Sequence, residues 1–202
     1  MELEMCVPTL FGIEGIAADE LRHLNMKNVA AENGRVVFSG NEIDLARANV
    51  FLRTGERVLI VVGKTEAETF DQLFEGVSGM PWEKYIPIDV AFPFNGHSIN
   101  SKLHSIPDCQ KIIKKAIVTR LGKKYKRSWL QESGSRFKVR FSIMKDEAVL
   151  YIDTSGEGLH KRGYRPVSGA APLRETLAAA MVNLARYRGR DFFCDPFCGS
   201  GT

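Results

Sequence analysis

The chain has 202 residues, and its hydrophobic share of 44% is typical of a globular protein rather than a disordered one. The longest apolar run, residues 58–62, is too short to cross a bilayer, and the first residues lack the basic flank and apolar stretch of a secretory signal. We therefore expect a cytoplasmic protein, with no membrane partner, whose four cysteines are thiols.

The first 65 residues predict the order β-α-β-β-α-β, which is the ferredoxin-like arrangement. Strands are predicted over residues 5–8, 29–32, 36–38 and 57–63, with a hairpin turn at Asn33-Gly34. Helical periodicity predicts helices over 14–24 and 41–52, the second with Asn41 as its N-cap. We expect the apolar side chains of that second helix to face inward: Ile43, Leu45, Ala46, Val50 and Phe51.

Residues 66–157 predict a second α/β module. Thr69 and Gln72 form a capping-box pattern that begins a helix through about Val77. Strands are predicted over 89–94, 137–144 and 148–152, with Lys145-Asp146 as the turn of a hairpin. A helix over 109–121 places one apolar face inward: Cys109, Ile112, Ile113, Ala116, Ile117 and Leu121.

A basic segment overlaps this last helix, because no carboxylate occurs between residues 109 and 131. The segment, called the basic cluster below, holds eight cations: Lys111, Lys114, Lys115, Arg120, Lys123, Lys124, Lys126 and Arg127. Removing these eight charges from the net charge of +4 leaves the rest of the chain at −4. Such a cluster indicates a polyanion partner, and the interleaved Tyr125 and Trp129 favour RNA. The alternative interpretation is a solvated helix face followed by a charged loop.

We predict RNA contacts for most members of the basic cluster and for an aromatic neighbour: Lys111, Lys114, Lys115, Lys123, Lys124, Tyr125, Lys126 and Arg127. A second group includes Arg162 and Arg165, which lie in a glycine-rich linker. Those two arginines fit an RNA contact, an interdomain contact or simple ordering of the linker.

The last part of the chain predicts a helix over 173–187, with Pro172 at its start and Gly189 after its end. A strand buried on both faces is predicted over 192–194, and it runs into the loop Asp-Pro-Phe-Cys-Gly-Ser-Gly-Thr at 195–202. Glycines in such a loop let the backbone approach a nucleotide-like ligand. No second pair of ligands accompanies Cys194 and Cys198, so we predict no zinc site.

Three motifs carry a resemblance to a known family. The octapeptide 195–202 resembles the first cofactor motif of S-adenosylmethionine-dependent amino-methyltransferases of nucleic acids. Residues 171–181, Ala-Pro-Leu-Arg-Glu-Thr-Leu-Ala-Ala-Ala-Met, are similar to the helix that precedes this motif, and residues 155–165 resemble the joint between THUMP and methyltransferase domains. In this order they are similar to the THUMP-containing bacterial 23S rRNA guanine-N2 methyltransferases.

This resemblance implies an α+β chain in three parts: a ferredoxin-like domain at 1–65, a THUMP RNA-binding domain at 66–157, and a linker with the start of a Rossmann-like methyltransferase domain at 158–202. It implies S-adenosylmethionine as the cofactor. The residues that would hold the cofactor are Pro172, Leu173, Thr176, Asp195, Pro196, Phe197, Gly199, Gly201 and Thr202.

The resemblance also implies N2-methylation of a guanine in 23S rRNA. The family holds the guanine amine with an Asn/Asp-Pro-Pro-aromatic motif, which we expect beyond Thr202, so we expect the 202 residues alone to be inactive. The alternatives are a non-catalytic RNA-binding adaptor, a THUMP methyltransferase of tRNA and a THUMP tRNA sulfur-transfer enzyme. The last would need a Ser-Gly-Gly-x-Asp-Ser loop where this chain has its octapeptide.

Overall fold

The computed structural model describes residues 2–87, 90–127, 134, 136–163, 173–190 and 192–199. Its first elements are β1 (Leu3–Pro8), α1 (Glu14–His23), β2 (Lys27–Glu32), β3 (Arg35–Gly40), α2 (Glu42–Phe51) and β4 (Leu59–Glu66). Then follow α3 (Phe70–Gly79), β5 (Phe94–Ile99), α4 (Ile106–Tyr125), β6 (Val139–Met144), β7 (Glu147–Asp153) and α5 (Glu175–Leu184). The mixed architecture confirms the predicted fold class, and the first six elements follow the predicted order.

The chain divides into two compact units, one formed by residues 1–59 together with 154–202 and the other by residues 60–153. In the first unit the strand order is β2-β3-β1, with both pairings antiparallel. In the second unit the order is β4-β7-β6-β5; β6 and β7 form an antiparallel hairpin and β5 runs parallel to β6. Helix α4 is the crossover that joins the two parallel strands. The predicted domain limits at 65 and 157 stay a prediction.

Alternation along the strands and one face of α1 build the core of the first unit. In β3 the side chains of Val36 and Phe38 are buried, whereas their neighbours are half-exposed. Helix α1 contributes Ala17, Ala18 and Leu21, whose spacing places them on one face. The same unit therefore presents its polar helix face to solvent.

In the second unit α4 buries the predicted face. Five of the six expected residues are buried, namely Cys109, Ile113, Ala116, Ile117 and Leu121, and Ile112 is half-buried. Trp82 is fully buried, and its indole Nε1 donates a hydrogen bond of 2.7 Å to the carbonyl oxygen of Val77 in α3. The predicted turn is also present, since Lys145 and Asp146 both have positive φ.

The prediction of which face of α2 packs inward is wrong. Ile43, Val50 and Phe51 are 70%, 61% and 57% exposed, whereas Ala48 and Leu52 are fully buried. Ile43 precedes Leu45 by two residues, and Val50 precedes Leu52 by two. Two residues correspond to a rotation of about 200° around a helix axis, so the members of each pair face nearly opposite sides. The stripe that packs inward is therefore the one through Ala48 and Leu52, and the more hydrophobic stripe faces solvent.

Two predicted strands differ from the structure. β5 begins at Phe94 rather than at Asp89, which lies outside the described residues, and of residues 90–93 only Ala91 forms an isolated bridge. Pro93 lacks the N–H that a ladder requires. Residues 192–194 form no strand, and Phe192 and Phe193 are exposed. A parallel strand needs a hydrogen-bonded neighbour, and no strand among the described residues pairs with this one.

Asn41 begins α2 with a capping box. Its Oδ1 accepts from the amides of Ile43 and Asp44 at 2.8 and 3.0 Å, and the Asp44 carboxylate accepts from the Asn41 amide at 2.9 Å. Asn41→Ala removes the acceptor and should lower the free energy of unfolding in urea by about 1 kcal/mol. The control Asn183→Ala, an exposed position inside α5, should cause no loss, since alanine favours a helix interior. Equal losses in both variants would contradict the capping role.

Candidate functional site

The basic cluster is solvent-exposed on α4 and just after it. Its lysines at 111, 114, 115, 123 and 124 lie on the helix faces that do not pack, and Lys126 and Arg127 follow directly. Lys126 ends the helix in the left-handed conformation, with φ of +54°. Tyr125 is 37% exposed, whereas Trp129 lies outside the described residues. The structure thus places five of the eight predicted cations on the exposed faces of α4 and two more directly after its end.

Lys111 and Lys115 have partners that hold them in place. Lys111 Nζ lies 3.3 Å from the Asp108 carboxylate one turn earlier. Lys115 Nζ lies 5.6 Å from the ring centroid of Phe74 in α3, which is a cation–π contact. Both lysines remain exposed, so these contacts orient the charges without removing them from solvent.

Arg120, the eighth cation, is part of the internal structure. Its Nε and Nη2 donate to the two carboxylate oxygens of Glu83 at 3.1 and 2.7 Å, a bidentate pair. The hydrogen bond from Arg120 lowers the pKa of Glu83 from 4.5 to about 2, with a smaller contribution from the Glu83 backbone amide. The pair fastens α4 to residues 82–84, which hold the buried Trp82.

The described part of the glycine loop has the geometry that close approach of a ligand requires. Asp195 Oδ1 accepts a hydrogen bond of 2.9 Å from the amide of Phe197. Gly199 has φ of +56°, and a Cβ added there would meet only the Phe197 carbonyl oxygen, at 3.9 Å. Asp195, Pro196 and Phe197 are exposed, whereas Gly201 and Thr202 lie outside the described residues. A loop with open space beside its backbone fits the expected cofactor.

The other predicted cofactor residues lie around the start of α5. Leu173 is 41% exposed, and Pro172 lies outside the described residues. Thr176 is buried, and its hydroxyl donates a hydrogen bond of 2.8 Å to Glu56 Oε1. The cofactor role of these three residues stays a prediction. No local pattern indicated a role for Glu56, because its partners lie more than a hundred positions further along the chain.

Arg162 is engaged within the first unit. Its guanidinium donates to the carbonyl oxygens of Val50, Asn49 and Leu52 at 2.5, 2.7 and 2.7 Å. These bonds give Arg162 a role in ordering the linker, and its RNA contact stays a prediction. Arg165 lies outside the described residues.

Neither a metal-binding cluster nor a membrane-spanning helix occurs in the described ranges. No group of three histidine, cysteine or acidic side chains there is arranged to hold a metal ion, and Cys194 and Cys198 are exposed thiols. None of the helices described is long and apolar enough to cross a membrane.

Three family matches follow one another along the chain. Residues 4–59 match the RlmL ferredoxin-like domain, residues 67–153 match the THUMP domain, and residues 162–202 match the RMKL-like methyltransferase domain. These matches confirm the resemblance that the sequence motifs indicated.

Two curated relatives and one solved structure are similar over nearly the whole chain. "Putative RNA methyltransferase YpsC" of Bacillus subtilis is 46% identical over 95% of this chain, which covers 50% of that protein. "Ribosomal RNA large subunit methyltransferase K/L" of Psychromonas ingrahamii is 32% identical over 99% of this chain, which covers 27% of that protein. The crystal structure of SMU.472, "a putative methyltransferase complexed with SAH", is 42% identical with a TM-score of 0.92, and covers 99% of this chain and 53% of its own. The chain thus spans half or less of the curated relatives.

The Glu83–Arg120 pair makes stability depend on pH in a defined window. Because the folded pKa of Glu83 is depressed to about 2, the ionised pair stabilises the fold above pH 4.5 and this contribution is lost as the pH falls from 4.5 to about 2. Wild type should therefore unfold at higher urea than Glu83→Gln near neutral pH, and the two should converge towards pH 2. Arg120→Gln breaks the same pair from the other side and should show the same convergence. A difference that stays constant across this range would contradict the assignment.

Proposed function

We propose that this chain is the RNA-capturing part of an S-adenosylmethionine-dependent RNA methyltransferase. The chain combines an RlmL-type ferredoxin-like domain, a THUMP domain and the first part of an RMKL-like methyltransferase domain. The observation that carries the proposal is the glycine loop at 195–199, which follows an RNA-binding type of domain in one chain. An adaptor that only binds RNA has no need of such a loop.

RNA capture falls to the exposed cations of α4. Lysine and arginine side chains neutralise phosphates and release condensed counterions, which favours binding without reading sequence. Tyr125, exposed beside Lys124 and Lys126, is suited to stack on an unpaired base. Arg120 takes no part in this, because Glu83 neutralises it.

The glycine loop would hold the cofactor. The Asp195 carboxylate is suited to accept from an amine or hydroxyl, and the main chain at Gly199 leaves room for close approach. When bound, S-adenosylmethionine supplies a methyl group made electrophilic by a positively charged sulfur. SMU.472 was crystallised with SAH, which supports this assignment for a chain 42% identical to it.

We further propose that the acceptor is the exocyclic amine of a guanine in 23S rRNA. The choice of large-subunit rRNA as the substrate is supported by the similarity to "Ribosomal RNA large subunit methyltransferase K/L" of Psychromonas ingrahamii. The amine is a weak nucleophile, because its lone pair is delocalised into the ring. Orientation must therefore supply most of the rate, and RNA capture by a separate domain is consistent with that demand.

The direct test uses the protein with its methyltransferase domain complete. Unmodified 23S rRNA, tRNA and DNA are each incubated with S-adenosylmethionine, and the nucleosides are identified by mass spectrometry. We expect N2-methylguanosine in 23S rRNA and no transfer by the 202-residue chain, which lacks an Asn/Asp-Pro-Pro-aromatic motif. A product in tRNA or DNA instead would contradict the proposed substrate, and no product in any of them would contradict the activity.

Charge reversal tests the RNA surface separately. Lys123→Glu/Lys124→Glu should weaken RNA binding on the order of tenfold and lower the slope of log Kd against log salt by about 1.5, because two phosphate contacts are lost. The matched control Lys27→Glu/Lys145→Glu changes the same charge at exposed positions outside the basic cluster and should leave the slope within error. Filter binding of a 23S rRNA fragment at several salt concentrations gives both numbers. Equal effects of the two variants would show that only net charge matters.

A further inference from the structure

The linker that follows β7 returns to the end of α2 through a network of side-chain hydrogen bonds. Thr154 Oγ1 donates to the carbonyl oxygen of Val58 at 2.7 Å, and the Val58 amide donates to Ser155 Oγ at 2.8 Å. Asn49 in α2 bonds both hydroxyls, donating to Thr154 Oγ1 at 3.0 Å and accepting from Ser155 Oγ at 2.7 Å. The linker therefore begins on the first unit in a defined position.

Arg162 then supplies the C-terminal end of α2 with donors that the helix lacks. The last carbonyl groups of a helix have no partner within it and carry partial negative charge. α2 has no basic residue in its last turn. Arg162 donates to three of these carbonyls at 2.5–2.7 Å, so one cation from the linker satisfies them.

Glu56, which follows α2, supplies a hydrogen-bond acceptor and a negative charge to the N-terminal end of α5. α5 begins after Arg174 without a side-chain cap of its own. The Glu56 carboxylate, 18% exposed, accepts from the hydroxyl of Thr176 at 2.8 Å and lies 3.5 Å from Arg174 Nη1. A negative charge at the positive N-terminal end of a helix is stabilising. The Glu56 carbonyl oxygen also accepts from the amide of Leu159 at 3.0 Å.

His160 also approaches the carboxylate of Glu56. Its Nδ1 lies 3.2 Å from Glu56 Oε2, at an angle that does not make a hydrogen bond.

We propose that Glu56 and Arg162 form a helix-end latch. Arg162 of the linker binds the C-terminal end of α2, and Glu56, which follows α2, binds the N-terminal end of α5. The latch fixes α5 on the N-terminal domain, and α5 leads along the chain to the loop at Asp195. In this proposal Glu56 and Arg162 are positioning residues, which set where the cofactor loop starts. Only this catalytic consequence rests on the proposed function.

Hydrogen exchange on the 202-residue chain tests the latch without any assay of activity. Glu56→Gln keeps an oxygen that can accept from Thr176 but removes the charge, and Arg162→Gln removes the fork of donors. We expect α5 amides in Glu56→Gln, and amides of residues 49–52 and 159–163 in Arg162→Gln, to exchange about tenfold faster, as loss of a charged hydrogen bond predicts. Amides of the buried face of α4 are the internal reference and should not change.

The matched controls place the same chemical changes outside the latch. Glu157→Gln alters an exposed carboxylate of the same linker, whose partner is Lys161 at 3.6 Å. Arg47→Gln alters an arginine of α2 whose partner is Asp44 at 4.0 Å. Both should exchange like wild type within about twofold. Unchanged exchange in Glu56→Gln and Arg162→Gln, or equal acceleration in the controls, would overturn the latch.

The catalytic arm uses the protein with its methyltransferase domain complete and its RNA substrate. Glu56→Gln should lower kcat on the order of tenfold, whereas KM for RNA and the calorimetric Kd for S-adenosylmethionine should stay within about twofold, because misplacement affects orientation rather than binding. Faster exchange with an unchanged kcat would overturn the positioning role. If wild type itself transfers no methyl group, the proposed function fails while the exchange experiment still decides the latch.

Discussion

The carboxylate of Glu56 is the contact that joins the N-terminal part of this chain to the start of α5 within one compact unit. Gly55 and Glu56 follow α2, and the partners of the carboxylate, Arg174 and Thr176, belong to the start of α5. Between them the chain builds an entire second unit and returns. A charged group that is largely removed from water stabilises only when its partners are in place. The N-terminal region is thus the support on which the first methyltransferase helix begins.

The second unit carries many positive charges on one helix, α4. α4 separates its functions by face, since its apolar residues pack inward and its lysines face solvent. Arg120 is the exception that makes this stable: its bidentate pair with Glu83 ties the helix to the segment around Trp82. A cation with a structural role and the exposed lysines are therefore neighbours in sequence, and Arg120 is marked by its bidentate pair with the half-buried Glu83.

The sequence predicted features that depend on local chemistry. The N-cap at Asn41, the capping box at Thr69 and the turn at Lys145-Asp146 involve residues no more than four apart, and all are present. The inward face of α2 was not predictable, because the stripe through Ala48 packs against the core although the stripe through Ile43 and Val50 is more hydrophobic. The strand at 192–194 was not found, because a parallel strand depends on neighbours that the described residues do not contain. For the candidate site, the exposed lysines of α4 were foreseen, whereas Glu56 acts through partners too distant for any local pattern.

We propose above all that the loop beginning at Asp195 binds S-adenosylmethionine in a protein whose preceding domains hold RNA. Isothermal titration of the cofactor into the protein with its methyltransferase domain complete tests it most directly, with Asp195→Ala as the matched variant. We predict saturable binding by wild type and a loss of at least tenfold in affinity in Asp195→Ala, with no change in RNA affinity. Absence of cofactor binding by wild type, or equal affinity in the variant, would contradict the account.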